Sequence, residues 1–504
     1  MEDLAKAVDP RARFKRRTVV DSALLPWTRS DTLLIAGLLV AAAMTRFISL
    51  GSPSVFVFDE RSVVEGGARI ILGGGQFLST HPPFPAEMIA LSIRAFGDDP
   101  LSWRWLSASL GTALIGITYL LGRRMFASRL VGGLAALFVI CDGLYLVDSR
   151  LALWEIFFFT FSAIAYLMLF RFAYSVDPFA RRRTLTVMGF ALGFALASKL
   201  GIPFITLLLM TACVAFLVLK RPGTPGASDA QQREARNMEL YGALALIWGL
   251  STIIFIVVFF PNYWFGWWHG LEDHVAFYFG EYRFQQKLQH SIHLSSTSPW
   301  WSWPFLLHPI IYYPQGEAVT TAIAAARSIR SIGNPILWWG ALASIVVVTR
   351  QAITRKSMER GFLVLAYAIY LTIWIPFPRY EFIYYYMPSL YFGFMALALS
   401  LSDCWSGATR RWEEVALLIP FCPVLVLGLG ITVGTMTIVV LAVAYLALTR
   451  RGGPKAGRMV CVLYVAATLI LFVYFIPIWF ALPLTPQQFG ARMWLKGPGV
   501  ADWR

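Results

Sequence analysis

The chain has 504 residues, 58% of them hydrophobic and only 14% charged, and carries a formal net charge of +15. A water-soluble fold cannot absorb that much apolar surface, so the composition excludes an ordinary globular domain and points to an all-α polytopic membrane protein. The positive balance raises nucleic acid as a partner, and the placement of the charge, below, removes it.

In chain order, residues 1–30 carry six basic residues between Lys6 and Arg17 with no small-residue cleavage site, which reads as a cytosolic basic flank and not a signal peptide. Spans of membrane-crossing length then follow near 31–49, 106–121, 130–147, 151–170, 184–198, 201–219, 240–260, 334–349, 361–377, 382–400, 413–430, 432–449 and 459–479. Because 413–449 also reads as one kinked element, the expected number is about 11–13. Thirteen put the termini on opposite sides. With the N-terminus inside, the cytosolic side holds 28 of the 43 Lys and Arg but 13 of the 28 Asp and Glu. This is the positive-inside bias, and it holds loop by loop at Arg123, Arg124 and Arg129, at Arg181–Arg183, at Lys220 and Arg221, at Arg355 and Lys356, and at Arg450 and Arg451. The charge is topological, and no nucleic-acid partner is expected.

The expected organisation is a cytosolic N-terminus (1–30), an N-terminal transmembrane catalytic module (31–260) that includes an extracytoplasmic loop at 50–105, a second such loop (261–333), a C-terminal transmembrane module (334–480) and an extracytoplasmic tail (481–504). Two outer loops of this length are where function is expected. The inner segment 220–238 reads as a polar linker. No internal repeat is visible, which disfavours a secondary transporter. The five cysteines are scattered, without a CxxC or Cys/His cluster, so neither a disulfide framework nor a metal site is implied.

Chemistry is expected at Asp59-Glu60, two adjacent carboxylates just past the first span, where charge persists mainly when it lines a site or meets a counter-ion. Arg104, Asp148, Arg150, Glu155, Lys199, Arg379 and Glu381 fall near other outer span ends. Acids and cations gathered there suit an anionic lipid-linked substrate, with Arg and Lys on phosphate and a carboxylate as base toward a hydroxyl. Plainer alternatives stand beside these: Asp59-Glu60 as a solvated loop start, Arg104 as a snorkel between Trp103 and Trp105, Arg150 as an ion pair with Asp148 or Glu155, and His81-Pro82-Pro83 as a rigid turn. The tryptophans at 300, 301 and 303 read as interfacial anchors.

The chain resembles the bacterial protein O-mannosyltransferases, in the GT-C class of membrane glycosyltransferases. The resemblance rests on ordered pieces covering nearly the whole chain: Val57-Phe58-Asp59-Glu60, His81-Pro82-Pro83, Trp103-Arg104, Ile140-Cys141-Asp142-Gly143, Ser149-Arg150, Ser198-Lys199, Ser298-Pro299-Trp300 with Trp303-Pro304, Gly333-Asn334-Pro335 with Trp338-Trp339, Tyr384-Tyr385-Tyr386-Met387-Pro388 and Arg492-Met493-Trp494-Leu495. It implies inverting transfer of mannose from a polyprenyl phosphate to Ser or Thr hydroxyls of exported proteins at the outer face of the plasma membrane. It implies Asp59 as base and Glu60 as its catalytic neighbour. Arg104, Arg150, Lys199 and His81 would bind the donor's phosphate and lipid end, with Asp148, Glu155 and Arg379 in support. No cofactor or metal is expected; membrane lipid is an expected partner and the secretion translocon a candidate one. The chain departs from the family pattern at Arg61, at Ala86 and at Glu155. The alternatives are a GT-C transferase with another sugar or a lipid or cell-wall glycan acceptor, and, remotely, a lipid or sugar transporter.

Overall fold

The computed structural model describes residues 25–74, 81–221, 228–264, 268–291, 297–313, 327–376, 381–450, 453–497 and 501–503. Each of the thirteen expected spans falls on a helix or a helix pair. Among the described residues, nine helices are long and apolar enough to cross a membrane, or ten with the pair Arg129–Ile140 and Gly143–Arg150, which bends by 62°. Helices Pro178–Ser198, Met358–Thr372 and Met387–Ser406 complete the set but fall outside that count. The first carries Arg181–Arg183, and the second has only 15 residues.

Polar contacts sort the helix ends onto two sides. At one side Asp31 is buried between Arg123 (2.5 Å) and Arg129 (2.8 Å), Arg181 meets Glu239 (2.6 Å), Tyr174 bonds Glu359, and Arg355 and Arg360 share Asp403. At the other side lie Glu60, Arg104, Arg150, Glu155, Lys199 and Tyr384. Among the described residues, helix after helix runs from one group to the other in an up-and-down array.

Helix starts follow local chemistry. Asp99 accepts from the Ser102 amide ahead of Pro100, and Asp177 from Ala180 ahead of Pro178; both caps pair an acid with a proline in the first turn. The polar stretch expected as a linker is instead, from Asp229 onward, the first turns of a 30-residue helix, because Ser228 and Gln231 form a capping box. Likewise the 50–105 segment is mostly helical, with Glu60–Val63, a π turn at Val64–Ala68, Arg69–Leu72 and Phe84–Phe96.

Asp142 ties the two halves together at the bend. One of its oxygens accepts from the amides of Leu144 and Tyr145, the other from the Asn334 amide (2.9 Å) and the Trp338 indole (2.6 Å). Asn334 in turn donates to the Cys141 and Thr468 carbonyls. A side chain at Gly143 would collide with the Ile332 carbonyl and the Trp479 indole, so glycine is needed for this approach. Strands are confined, among the described residues, to Ile311–Tyr313 paired with Ile329–Arg330 and Lys496–Gly497 paired with Ala501–Asp502.

Candidate active site

Asp59 stands at the start of the Glu60–Val63 turn, partly exposed. The preceding residue, Phe58, is in the left-handed region (φ 53°), a backbone state that costs a non-glycine residue roughly 1–3 kcal/mol. Its ring is held edge-on against Tyr312 (4.8 Å) and Tyr384 (6.5 Å). The Asp59 carboxylate makes no hydrogen bond among the described residues, although its main-chain carbonyl accepts from the Val63 amide. Desolvation and the nearby Glu155 carboxylate push its pKa up to about 6, while Lys199 pulls the other way.

Around it the other acids are engaged. Glu155, in the first turn of helix Trp154–Ala173, forms a buried ion pair with Lys199, which follows helix Pro178–Ser198. The Lys199 ammonium also lies 4.9 Å from the Tyr384 ring centre and 5.6 Å from that of Tyr385. Asp148 accepts the Tyr312 hydroxyl (2.7 Å) on one oxygen, and its second oxygen is buried with no hydrogen-bond partner among the described residues. His81 packs edge-on against Trp154 (4.6 Å), beside Glu155.

Glu60 and Arg104 are bonded to each other. Both side chains are fully buried, paired in a two-pronged contact with both distances at 2.7 Å. Glu60 further accepts the amides of Val57 and Ala152 (2.9 Å each). The remaining Arg104 N–H groups go to the carbonyls of Leu50, Pro53 and Val55. Every Arg104 donor is used, so the pair fixes the Leu50–Glu60 turn and has no valence left for phosphate or acceptor. Arg150 donates through Nη1 to the carbonyls of Thr45, Arg46 and Ile48 and through Nη2 to that of Ser49, and its guanidinium lies over Phe480 (4.0 Å). A cation there complements the unsatisfied carbonyls at the end of helix Arg29–Phe47. It makes no ion pair with Asp148 or Glu155, and Arg104 no cation–π contact with its flanking tryptophans, among the described residues.

Arg379 lies outside the described residues. Glu381 is buried and receives the Trp300 amide, capping the Trp300–Phe305 turn. Of the expected anchors, Trp301 is exposed, whereas Trp303 is fully buried and bonded to Ser298. Ala86, where the family pattern has a cation, is packed inside. Tyr312 and Tyr384, which line the cluster, were not expected as site residues. The signal was present in Tyr312-Tyr313-Pro314 and in Tyr384-Tyr385-Tyr386, but 20 tyrosines obscure any two.

An apolar cavity of about 610 Å³ opens between helices Trp154–Ala173, Ile202–Leu219 and Met358–Thr372, lined by Leu169, Ile205, Cys213, Phe362, Ile369 and Ile373 among others. Its Ile373 edge adjoins Trp374, which stacks on Tyr385 (4.4 Å), the ring beside Lys199.

Two family models match in tandem, one described as dolichyl-phosphate-mannose-protein mannosyltransferase over residues 95–277 and one as the C-terminal four-transmembrane region of protein-O-mannosyltransferase over residues 271–497. The chain belongs to the protein O-mannosyltransferase family. Within that family it is 25% identical to the polyprenol-phosphate-mannose–protein mannosyltransferase of Mycolicibacterium smegmatis, over 75% of this chain and 83% of that one. The enzyme of that name from Corynebacterium glutamicum is 24% identical over 95% and 94%. The fold matches that of a Saccharomyces cerevisiae protein O-mannosyltransferase complex bound to the sugar donor, with a TM-score of 0.73, 15% identity and 94% of each chain covered. ArnT from Cupriavidus metallidurans, bound to undecaprenyl phosphate, matches with a TM-score of 0.52 at 15% identity over 90% and 85%. These likenesses confirm the GT-C architecture.

Proposed function

We propose that this protein O-mannosyltransferase transfers mannose, with inversion, from polyprenyl-phosphate mannose to Ser or Thr hydroxyls of exported proteins at the outer face of the plasma membrane, its N-terminus in the cytosol. The observation that carries the mechanism is the contrast among four acids. Glu60, Asp148 and Glu155 are each bound to a protein partner, whereas the Asp59 carboxylate is accessible and unbonded among the described residues. A pKa near 6 leaves it mostly ionised at neutral pH yet basic enough to take a proton from a hydroxyl.

In this reading the acceptor oxygen attacks the anomeric carbon as Asp59 removes its proton, and the C–O bond to phosphate breaks on the opposite face with its electron pair leaving on the phosphate. Lys199 keeps N–H donors beyond the one given to Glu155 and meets the developing phosphate charge. The Lys199–Glu155 pair is itself oriented by Tyr384 and Tyr385. The apolar cavity, whose lining runs from Leu217 and Met358 to Ile373, suits isoprene units of the donor's chain beyond the first few.

The test is a transfer assay with purified full-length protein, polyprenyl-phosphate mannose, and two acceptors offered in parallel, a Ser/Thr-rich peptide and a lipid glycan. Mannosyl peptide of inverted anomeric configuration is expected. Transfer to the lipid alone, or retention of configuration, overturns the proposal.

A further inference from the structure

Tyr312 reaches Asp148 and Phe58 from a ribbon only a few residues long, and so small a ribbon has little stability of its own. What holds it comes from the far end of the chain. Trp503 is fully buried; its indole donates to the Leu306 carbonyl (2.6 Å), and its own carbonyl accepts from Arg330 (2.9 Å), which lies in the strand paired with Tyr312's. Arg330 is buried too, with a second bond to Ser328. Behind Trp503, Trp494 stacks at 6.2 Å and Phe475 packs at 6.2 Å, while Lys496–Gly497 and Ala501–Asp502 pair to fold the segment back. An unanchored tail has no reason to bury a tryptophan with both its polar groups satisfied.

We propose that the C-terminal residues 493–497 and 501–503 form a clamp on the active site, with Trp503 a positioning residue that acts through Arg330 and the ribbon to register Tyr312 against Asp148 and Phe58, and thereby sets the Asp59 carboxylate. The path is continuous: Trp503 to Arg330 and Leu306, ribbon to Tyr312, Tyr312 to Phe58, and Phe58 to its neighbour Asp59. Misplacing a catalytic group by about 1 Å costs on the order of 100-fold in rate, so slack in the ribbon is felt at Asp59.

The kinetic side rests on the transfer reading; the structural side does not, and two measurements keep them apart. In hydrogen exchange, Trp503→Ala is expected to speed exchange about tenfold or more at Ile310 and Ser331, which bond across the ribbon, and at Glu60, while the Asp142-capped amides of Leu144 and Tyr145 stay slow. In the transfer assay, Trp503→Ala is expected to lower kcat about tenfold or more with the donor KM within about twofold. Trp503→Phe, which keeps the ring packing, should fall between. Tyr312→Phe lowers kcat similarly, and the double variant Tyr312→Phe/Trp503→Ala is no slower than the worse single, since both act through one contact. Unchanged exchange at Ile310 and Ser331 overturns the clamp whether or not mannose is transferred. Multiplicative losses in the double variant overturn its route through Tyr312.

Discussion

Neighbouring residues of one sequence motif have opposite duties. The Asp59 carboxylate is left unbonded while that of Glu60, one position on, is sealed against Arg104. Removing one partner of a buried ion pair strands the other charge, at a cost of about 3–5 kcal/mol. Arg104→Ala is therefore expected to lower the thermal unfolding temperature sharply and the yield of folded protein, with the surviving fraction keeping its donor KM; a stable variant with a raised donor KM would return Arg104 to the phosphate. Lys199→Met also breaks a buried pair, but in its folded fraction it should raise the donor KM about tenfold or more, because its charge meets the donor. That Asp59, Glu155 and Lys199 would lie near one another was legible in the sequence, because charges beside apolar spans are few and need a reason. For Arg104 and Arg150 the sequence shows a cation near an outer end, but not that the carbonyls of residues 45–55 come round to meet its donors. Side-chain type was informative, and valence only became so with geometry.

At the scale of elements, the spans themselves were readable from apolar run length, and every one lands on a helix. The outer segments were not. Their short helices at Glu60–Val63 and Phe84–Phe96, and the ribbon that carries Tyr312, depend on contacts with residues distant in the chain, which no local pattern announces. The groove beside helices Ile202–Leu219 and Met358–Thr372 makes its own prediction. Filling it with Ala212→Trp, at an exposed lining position, should raise the KM for a long-chain polyprenyl donor about tenfold while leaving a donor with two isoprene units nearly unaffected. Equal effects on both donors would move the lipid elsewhere.

For the whole molecule, the contacts that divide helix ends into two groups agree with the division made from loop charge alone. Asp31 with Arg123 and Arg129 marks one side; Glu60 with Arg104 and Glu155 with Lys199 marks the other. In a background without the five native cysteines, a membrane-impermeant thiol reagent applied to intact cells should label Ser54→Cys and spare Ser406→Cys; the reverse pattern would invert the topology. Across the bilayer, the Asp142–Asn334–Trp338 junction and the Trp503 clamp both run between parts of the chain far apart in sequence, so the site is a product of the complete fold and not of one module.

The central claim, that Asp59 is the base of an inverting mannosyl transfer, is tested most directly by the pH dependence of kcat/KM for the wild type and Asp59→Asn. Protonation silences a base, so the wild-type rate should rise with pH through about 6 and then level. In folded Asp59→Asn that inflection should vanish, with the rate lower by about 100-fold or more. An Asp59→Asn enzyme that keeps more than about a tenth of wild-type turnover, or the same inflection near 6, would contradict it.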